Sequence, residues 1–188
     1  LTFLIDLLED ENHQRRIRSR EARMKLSNLP HHKTISDFDF SFQPGIDQRQ
    51  IKELETLAFA ARKENVIFLG PPGVGKSHLS VALGVEAIQA GMTVYFVSVA
   101  DLVRDLRKAE AVGKLESRWK IYLRPNILVL DEIGYSQLDR NSAECHWHNK
   151  NTHFCRRKFP SENDTITLVT HRKVRNFLCW RYICKQQS

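Results

Sequence analysis

The 188-residue sequence contains no hydrophobic run of the roughly 20 residues that a membrane-spanning helix requires. Residues 1–8 are mostly apolar, but this stretch is too short to cross a bilayer. It is preceded by no basic segment and followed by no small-residue cleavage site, both of which a secretory signal peptide would show. The sequence therefore predicts a cytoplasmic protein with no membrane partner.

Cysteine is absent from the first 144 residues, so any cysteine chemistry is confined to the end of the chain. Residues 139–188 also hold ten Lys and Arg against four Asp and Glu, whereas the other 138 residues carry 19 against 18. Most of the net charge of +7 therefore lies in this last part. The shift in composition indicates a boundary near Leu138.

The most specific pattern is the run from Gly70 to Ser77, which fits the phosphate-binding P-loop G-x-x-x-x-G-K-[ST]. A buried strand is predicted before it, at residues 66–69, and a helix after it, at residues 77–90. Glycines let backbone N–H groups point inward at phosphate oxygens, and the start of the helix adds its positive end. Lys76 would reach the β- and γ-phosphates, and the Ser77 hydroxyl would bind Mg²⁺. The predicted nucleotide contacts are Gly70, Pro71, Pro72, Gly73, Val74, Gly75, Lys76, Ser77 and His78.

A second apolar run, residues 127–130, ends in Asp131 and Glu132. Near-continuous apolar residues are typical of a central parallel strand, which is covered on both faces. Asp131 would emerge at the carboxyl end of this strand, where ligands bind in open α/β sheets, and would hold Mg²⁺ through water. Glu132 would polarise an attacking water as the catalytic base. The alternative, two solvated acids after a strand, is disfavoured by the P-loop 55 residues upstream of Asp131.

The order of predicted elements favours an α/β fold with a parallel sheet. A further strand is predicted at residues 93–97 and helices at 101–110 and 115–123, so strands and helices alternate. One whole strand thus lies between the P-loop and Asp131. This order is typical of P-loop NTPases with an extra strand beside the P-loop strand, which form a three-layer sandwich.

The part before the P-loop carries two ambiguous features. Residues 10–26 are charged and helix-prone, and they are either a solvated helix face or a basic arm that touches nucleic acid. Phe38, Phe40 and Phe42 alternate with polar residues and either pack as a short edge or line the nucleotide base. Asp47 is a predicted N-cap for one helix over residues 48–63. The arginines of the first segment are Arg15, Arg16, Arg18, Arg20 and Arg23.

Several of these motifs together resemble the IstB-like ATPases. They are the P-loop, residues 94–97, Asp101-Leu102 and the run Asp131-Glu132-Ile133-Gly134-Tyr135. Residues 38–44 with Ile46-Asp47 are similar to the beginning of that family's ATPase core. These proteins are ATP-binding helpers of transposases in one group of insertion sequences. They resemble the DnaC-like helicase loaders, and both belong to the AAA+ class.

The resemblance, which runs from about Arg15 to Arg140, implies an ATPase that binds DNA, self-associates on it and delivers a transposase. ATP and Mg²⁺ are the implied cofactors. Lys76 would contact phosphate, Ser77 and Asp131 would serve Mg²⁺, and Glu132 would activate water. The chain would divide into a charged helical arm (1–36), an AAA+ P-loop core (37–140) and a divergent tail (141–188). A helicase loader, or a remnant that at most binds nucleotide, remains an alternative.

The resemblance ends after Arg140. The family continues with an amphipathic helix, a strand ending in a sensor Asn, an arginine finger and a small lid with a second sensor arginine. Residues 141–148 show no helical apolar stripe, and the chain has no recognisable lid. Residues 164–170 could form the sensor strand, with Thr170 or His171 in the sensor position, while Arg172, Arg175 and Arg181 take no assignment. We therefore expect nucleotide binding with weak or absent hydrolysis.

The sequence of the tail has two interpretations. A frame change near codon 140 would explain the abrupt loss of the family pattern together with the gain of Cys, His and Trp. A zinc site is the alternative, formed by Cys145, His148, His153 and Cys155. Their spacing, C-x₂-H-x₄-H-x-C, is not a usual finger pattern, so incidental residues are the preferred explanation over zinc.

Overall fold

The computed structural model describes residues 2–41, 43, 45–133, 165–171 and 180–183. Within these residues, helices and strands alternate from β1 to β3, as the sequence predicts. The helices are α1 (Thr2–Leu26), α2 (Gln48–Glu55), α3 (Ala58–Arg62), α4 (Lys76–Gln89), α5 (Val99–Ala111) and α6 (Leu115–Leu123). The strands are β1 (Asn65–Gly70), β2 (Val94–Ser98), β3 (Ile127–Ile133), β4 (Thr165–His171) and β5 (Trp180–Ile183).

The strands form one sheet in the order β2-β3-β4-β1-β5. β2 is parallel to β3 and β5 is parallel to β1, whereas β4 lies between β3 and β1 and runs antiparallel to both. β1 and β3 therefore point the same way. The predicted α/β fold with a parallel sheet is confirmed, and β4 is the one antiparallel member among the described strands.

The direction of β4 corrects one prediction. A strand does occupy residues 165–171, but Thr170 pairs with Leu128 and His171 pairs with Ile127, at the amino end of β3. A sensor residue beside the phosphates must lie at the carboxyl ends of β1 and β3. Assigning Thr170 or His171 to the sensor position is therefore wrong, because the antiparallel strand carries its own carboxyl end to the opposite edge of the sheet.

Both faces of the sheet are covered by helices, which gives three layers. Val66 and Phe68 of β1 point to one face and pack in a core with α2, α3 and α4, in which Leu83 is also buried. Ile67 points to the other face and packs with Leu102 and other residues of α5 and α6. Since side chains alternate along a strand, this division explains why residues 66–68 are all buried and apolar.

The predicted single helix over residues 48–63 is two helices. Asp47 caps the first as expected, since its Oδ1 accepts a hydrogen bond from the Arg49 N–H at 2.8 Å. Leu57, however, has a left-handed φ of 57° and separates α2 from α3. A residue in this conformation cannot continue an α-helix. The helical apolar spacing remains meaningful, because Ile51, Leu54 and Leu57 are all buried.

The first helix covers the open edge of the sheet with the residues that follow it. The Phe96 N–H of edge strand β2 donates to the Ser27 carbonyl at 2.8 Å. The Asn28 side-chain amide in turn donates to the Phe96 carbonyl at 3.0 Å. These contacts satisfy backbone groups that an edge strand would otherwise expose. The predicted helix over residues 10–26 is confirmed and begins earlier, at Thr2.

None of the described helices is both long and apolar enough to cross a membrane.

Candidate nucleotide-binding site

The P-loop connects the end of β1 to the start of α4, as the sequence predicts. Gly73 and Gly75 have φ values of 83° and 88°, in the left-handed region that residues with a Cβ rarely adopt. The chain can therefore reverse tightly between Gly70 and Lys76. Such a turn directs successive N–H groups into a concave surface suited to an anion.

Gly75 is also required for space. A Cβ at this position would lie 2.4 Å from Cε2 of Phe38, far inside contact distance. The Phe38 ring is buried and packs edge-on against Phe40, with ring centroids 4.9 Å apart. Of the two sequence alternatives for the aromatic segment, the structure favours packing for Phe38. Phe42 lies outside the described residues.

The first turn of α4 offers backbone hydrogen-bond donors. Gly75 is its N-cap residue and has no side chain to cap the helix, and the first intrahelical bond runs from the Leu79 N–H to the Gly75 carbonyl at 3.0 Å. The N–H groups of Ser77 and His78 precede that bond, at the positively charged end of the helix dipole. A helix start of this kind is suited to binding an anion.

Lys76 is held at the loop by its own ammonium group. Its side chain is buried, and Nζ donates to the Gly70 carbonyl at 2.9 Å and to the Pro71 carbonyl at 2.6 Å. The charge is thus positioned over the concave side of the loop. Since burying a charge without partners is costly, these carbonyls offset the desolvation of the ammonium until an anion replaces them.

Asp131 is buried at the carboxyl end of β3. Its Oδ1 accepts two hydrogen bonds, from the Glu132 N–H at 2.9 Å and from the Thr167 hydroxyl at 2.5 Å. Glu132 has a left-handed φ of 59°, lies in an irregularity of the β3–β4 pairing and exposes its side chain. One carboxylate is therefore fixed by the sheet and the next is presented to solvent.

The register of β4 places the P-loop and the Asp131-Glu132 pair at the same edge of the sheet. Ile166 pairs with Leu69 of β1 on one side and with Ile133 of β3 on the other. Two strand spacings separate Leu69 from Ile133, which is roughly 10 Å. The P-loop follows Leu69 directly and the acid pair precedes Ile133, so the sheet brings them to one cleft.

The residues present fit Mg²⁺ with a bound triphosphate. The Ser77 hydroxyl is on an exposed residue at the start of α4, and Asp131 supplies a carboxylate at the facing strand end. Mg²⁺ prefers oxygen ligands and commonly takes one or two from the protein, with phosphate and water completing the shell. Within the described residues no group of three or more His, Cys, Asp or Glu could hold a metal by itself. The candidate zinc residues of the tail lie outside that part of the chain.

His78 links the P-loop helix to the segment before the core. Its Nε2 lies 3.1 Å from the Thr34 carbonyl, and its ring packs edge-on against Phe38 and His31 at centroid distances of 5.2 and 5.8 Å. Burial is the main cause that lowers the pKa of His31, and the interaction with His78 is the second. The imidazole predicted to contact nucleotide is thus engaged with the N-terminal segment.

A separate cavity of about 320 Å³ lies beside edge strand β2, away from the P-loop. It is lined by Asn28, Tyr95, Arg104, Asp105, Lys108 and Tyr122, among others. Arg118 pairs with Asp105, and the Tyr122 hydroxyl donates to the same carboxylate at 2.5 Å. Arg118 lowers the pKa of Asp105, and burial raises the pKa of Tyr122 well above its usual range. This network ties α5 to α6.

Comparison with known proteins agrees with this architecture. Residues 1–152 match the family described as IstB-like ATP binding protein. The chain belongs to this family. The IstB-like match includes α1, the P-loop and the Asp131 strand, so every element of the candidate cleft except β4 lies within it.

Curated IstB-like relatives are associated with insertion sequences. The ATP-binding protein of insertion sequence IS5376 from Geobacillus stearothermophilus is 50% identical over 141 residues, which are 75% of this chain and 56% of the relative. The ATP-binding protein of IS21 from Pseudomonas aeruginosa is 47% identical over 141 residues, 75% of this chain and 53% of the relative. The ATP-binding protein of IS232 from Bacillus thuringiensis subsp. berliner is 37% identical over 147 residues, which are 77% of this chain and 59% of the relative. The chain thus spans just over half the length of these relatives.

The sequence did not indicate the contacts that two residues, Thr167 and Phe38, make in the cleft. Thr167 holds Asp131 in place, whereas the sequence indicated Thr170 or His171 for the strand's functional residue. Alternation along the strand does place Thr167 on the same face as buried Val169. Phe38 was noted, but its contact with Gly75 requires the fold. Gly134, Tyr135, Arg172 and Arg175 lie outside the described residues.

Proposed function

We propose that this chain is the ATP-binding helper of a DNA transposition system, which binds DNA and recruits or activates a transposase. The observation that carries the proposal is the convergence of an intact P-loop and a buried Asp131 at one sheet edge, in a member of a family whose relatives are named for insertion sequences. Those names also favour transposition over helicase loading.

ATP would bind with its phosphates against the P-loop amides. Lys76 would exchange the Gly70 and Pro71 carbonyls for β- and γ-phosphate oxygens, and this exchange favours a triphosphate because it replaces neutral acceptors with charged ones. Ser77 and Asp131 would hold Mg²⁺, which neutralises phosphate charge. Thr167 and the Glu132 N–H fix the Asp131 carboxylate for this role.

Hydrolysis would require Glu132 to orient an attacking water. Its side chain is exposed and its backbone is left-handed, so it is not held by packing. We therefore propose a chain that binds ATP and turns it over weakly or not at all. The family match runs through residue 152, past Arg140, and leaves residues 153–188 outside it. A frame change in the tail stays a prediction, and translation of the gene in its other two frames tests it.

DNA binding is proposed for the second half of α1. Arg16, Arg20 and Arg23 share one helix face at i, i+4, i+7 spacing, and Arg16 and Arg20 are exposed. A row of guanidinium groups can contact backbone phosphates without reading the base sequence. Basic residues are in excess in this part of the helix, because Glu21 is the only acidic residue between Arg15 and Lys25.

The test is fluorescence anisotropy of labelled duplex DNA across a salt series, with and without Mg·ATP. Replacing Arg16, Arg20 and Arg23 together with Ala should weaken binding and reduce the salt slope by up to roughly three. A matched variant replaces exposed Arg49, Lys52 and Lys120 with Ala and removes the same charge from α2 and α6. Equal losses in both variants would show that only net charge matters and would overturn the assignment to α1.

A further inference from the structure

Strand β4 joins the two halves of the nucleotide cleft, and it lies outside the family match. The match ends at residue 152, whereas β4 comprises residues 165–171. β4 pairs with the P-loop strand β1 on one side and with the Asp131 strand β3 on the other. A segment of the chain that the family does not account for therefore forms part of the cleft.

Thr167 is the β4 residue that reaches the acid pair. It lies opposite Phe68 of β1 and is fully buried. Its hydroxyl donates a hydrogen bond to Oδ1 of Asp131 at 2.5 Å. Because a buried hydroxyl without a partner costs free energy, this bond holds the hydroxyl and the carboxylate in one relative orientation.

The hydrogen bonds to the Asp131 carboxylate fall on one of its two oxygens. Oδ1 accepts from the Thr167 hydroxyl and from the Glu132 N–H, the latter at 2.9 Å. A carboxylate oxygen has about two lone-pair sites, so these two donors fill Oδ1. Oδ2 takes part in neither bond. Asp131 therefore presents one occupied oxygen and one oxygen for a cation or its water.

Divalent cations differ in how they use a carboxylate. Ca²⁺ accepts both oxygens of one carboxylate and tolerates irregular geometry. Mg²⁺ demands near-ideal octahedral geometry and keeps several of its waters. A carboxylate that offers a single oxygen in a fixed orientation suits Mg²⁺, and it denies Ca²⁺ the two-oxygen contact.

We infer that Thr167 makes the nucleotide site selective for Mg²⁺ over Ca²⁺, as a positioning residue that acts through Asp131. Its hydroxyl keeps Oδ1 occupied and the carboxylate fixed. Removal of the hydroxyl frees one lone-pair site on Oδ1 and loosens the carboxylate, which disfavours Mg²⁺ and admits Ca²⁺. The inference rests on the proposed binding of ATP in this cleft.

The experiment measures binding of the fluorescent N-methylanthraniloyl derivative of ATP to the complete 188-residue chain, with Mg²⁺, with Ca²⁺ and with EDTA. The unmodified chain should bind the derivative more tightly with Mg²⁺ than with Ca²⁺. Thr167→Val keeps the branched shape of the side chain without the hydroxyl. It should lower the apparent affinity for Mg²⁺ by about tenfold, which is typical when a partner of a metal ligand is lost. Its affinity for Ca²⁺ should be unchanged or higher.

Two control variants separate this role from a purely structural one. Thr167→Ser retains the hydroxyl and should retain the preference for Mg²⁺. Thr170→Val makes the same chemical change elsewhere on β4, at a position that pairs with Leu128 near the amino end of β3, and should also retain it. A general loss of structure would instead weaken binding with Mg²⁺, with Ca²⁺ and in EDTA alike, and would lower the thermal unfolding midpoint.

Failure of the inference and failure of the proposed function give different results. Equal binding with Mg²⁺ and Ca²⁺ in the unmodified chain, which needs no variant, would overturn the inference and leave the ATP site in place. So would a Thr167→Val variant that keeps the preference or loses affinity equally with both cations, and a Thr167→Ser variant that loses the preference. A chain that binds no ATP derivative under any condition would overturn both.

Discussion

At the scale of single residues, the site depends on backbone conformations as much as on side chains. Gly75 adopts a left-handed φ, and the Phe38 ring fills the space that a Cβ on this residue would need. Hydrogen bonds to two carbonyls position the Lys76 ammonium, and hydrogen bonds from a hydroxyl and a backbone N–H position the Asp131 carboxylate. The chemistry of the P-loop could be predicted from residue identities alone, because glycine spacing and a following Lys-Ser carry it.

Gly75→Ala should be more damaging than an ordinary left-handed glycine replacement. The left-handed backbone costs about 1 kcal/mol for a residue with a Cβ, and the clash with Phe38 should bring the loss of stability to about 3 kcal/mol. Gly91→Ala is the control, since its φ of 86° is equivalent and no atom lies within 4 Å of its added Cβ. Denaturant unfolding of both variants measures the difference, and equal losses would refute a steric role for Phe38.

At the scale of elements, periodicity and capping predicted most boundaries within a few residues. Two features could not be predicted in this way. The break at Leu57 depends on a left-handed residue with no glycine to signal it. The direction of β4 depends on which strands it joins, and alternation within the strand is the same in either direction. The direction of β4 decides which of its side chains reaches Asp131. The sequence alone therefore indicated Thr170 rather than Thr167.

The junction of α5 and α6 predicts a pH dependence. Arg118 lowers the pKa of Asp105, so ionised Asp105 stabilises the fold at pH values above the pKa it has when unfolded, about 4. This stabilisation is lost as pH falls through the lower folded pKa. Asp105→Asn should cost about 1 kcal/mol near neutral pH, and the difference from the unmodified chain should shrink below pH 4.

Asp10 provides the comparison for that measurement. It is exposed on α1, so Asp10→Asn should change stability little at any pH. Urea unfolding at neutral and acidic pH separates the two variants. A constant penalty for Asp105→Asn across this range would mean that its ionised form is not what joins the helices.

At the scale of the whole molecule, the fold divides into a cleft and a projecting helix. The cleft lies where β1 and β3 end, between α4 and the β3–β4 pair. The first half of α1 extends away from it with its own apolar and charged surface. Nucleotide binding in the cleft and the proposed DNA binding by Arg16, Arg20 and Arg23 of α1 should therefore separate in variants, because they share no residue.

Binding of Mg·ATP to the complete chain, measured by calorimetric titration, tests the central claim most directly. Lys76→Ala should reduce affinity by at least about a hundredfold, since it removes the buried ammonium that we propose binds the β- and γ-phosphates. Lys52→Ala, a matched change at an exposed position of α2, should leave affinity unchanged. Affinity for ATP that is the same in the unmodified chain and in Lys76→Ala would contradict the assignment of this cleft.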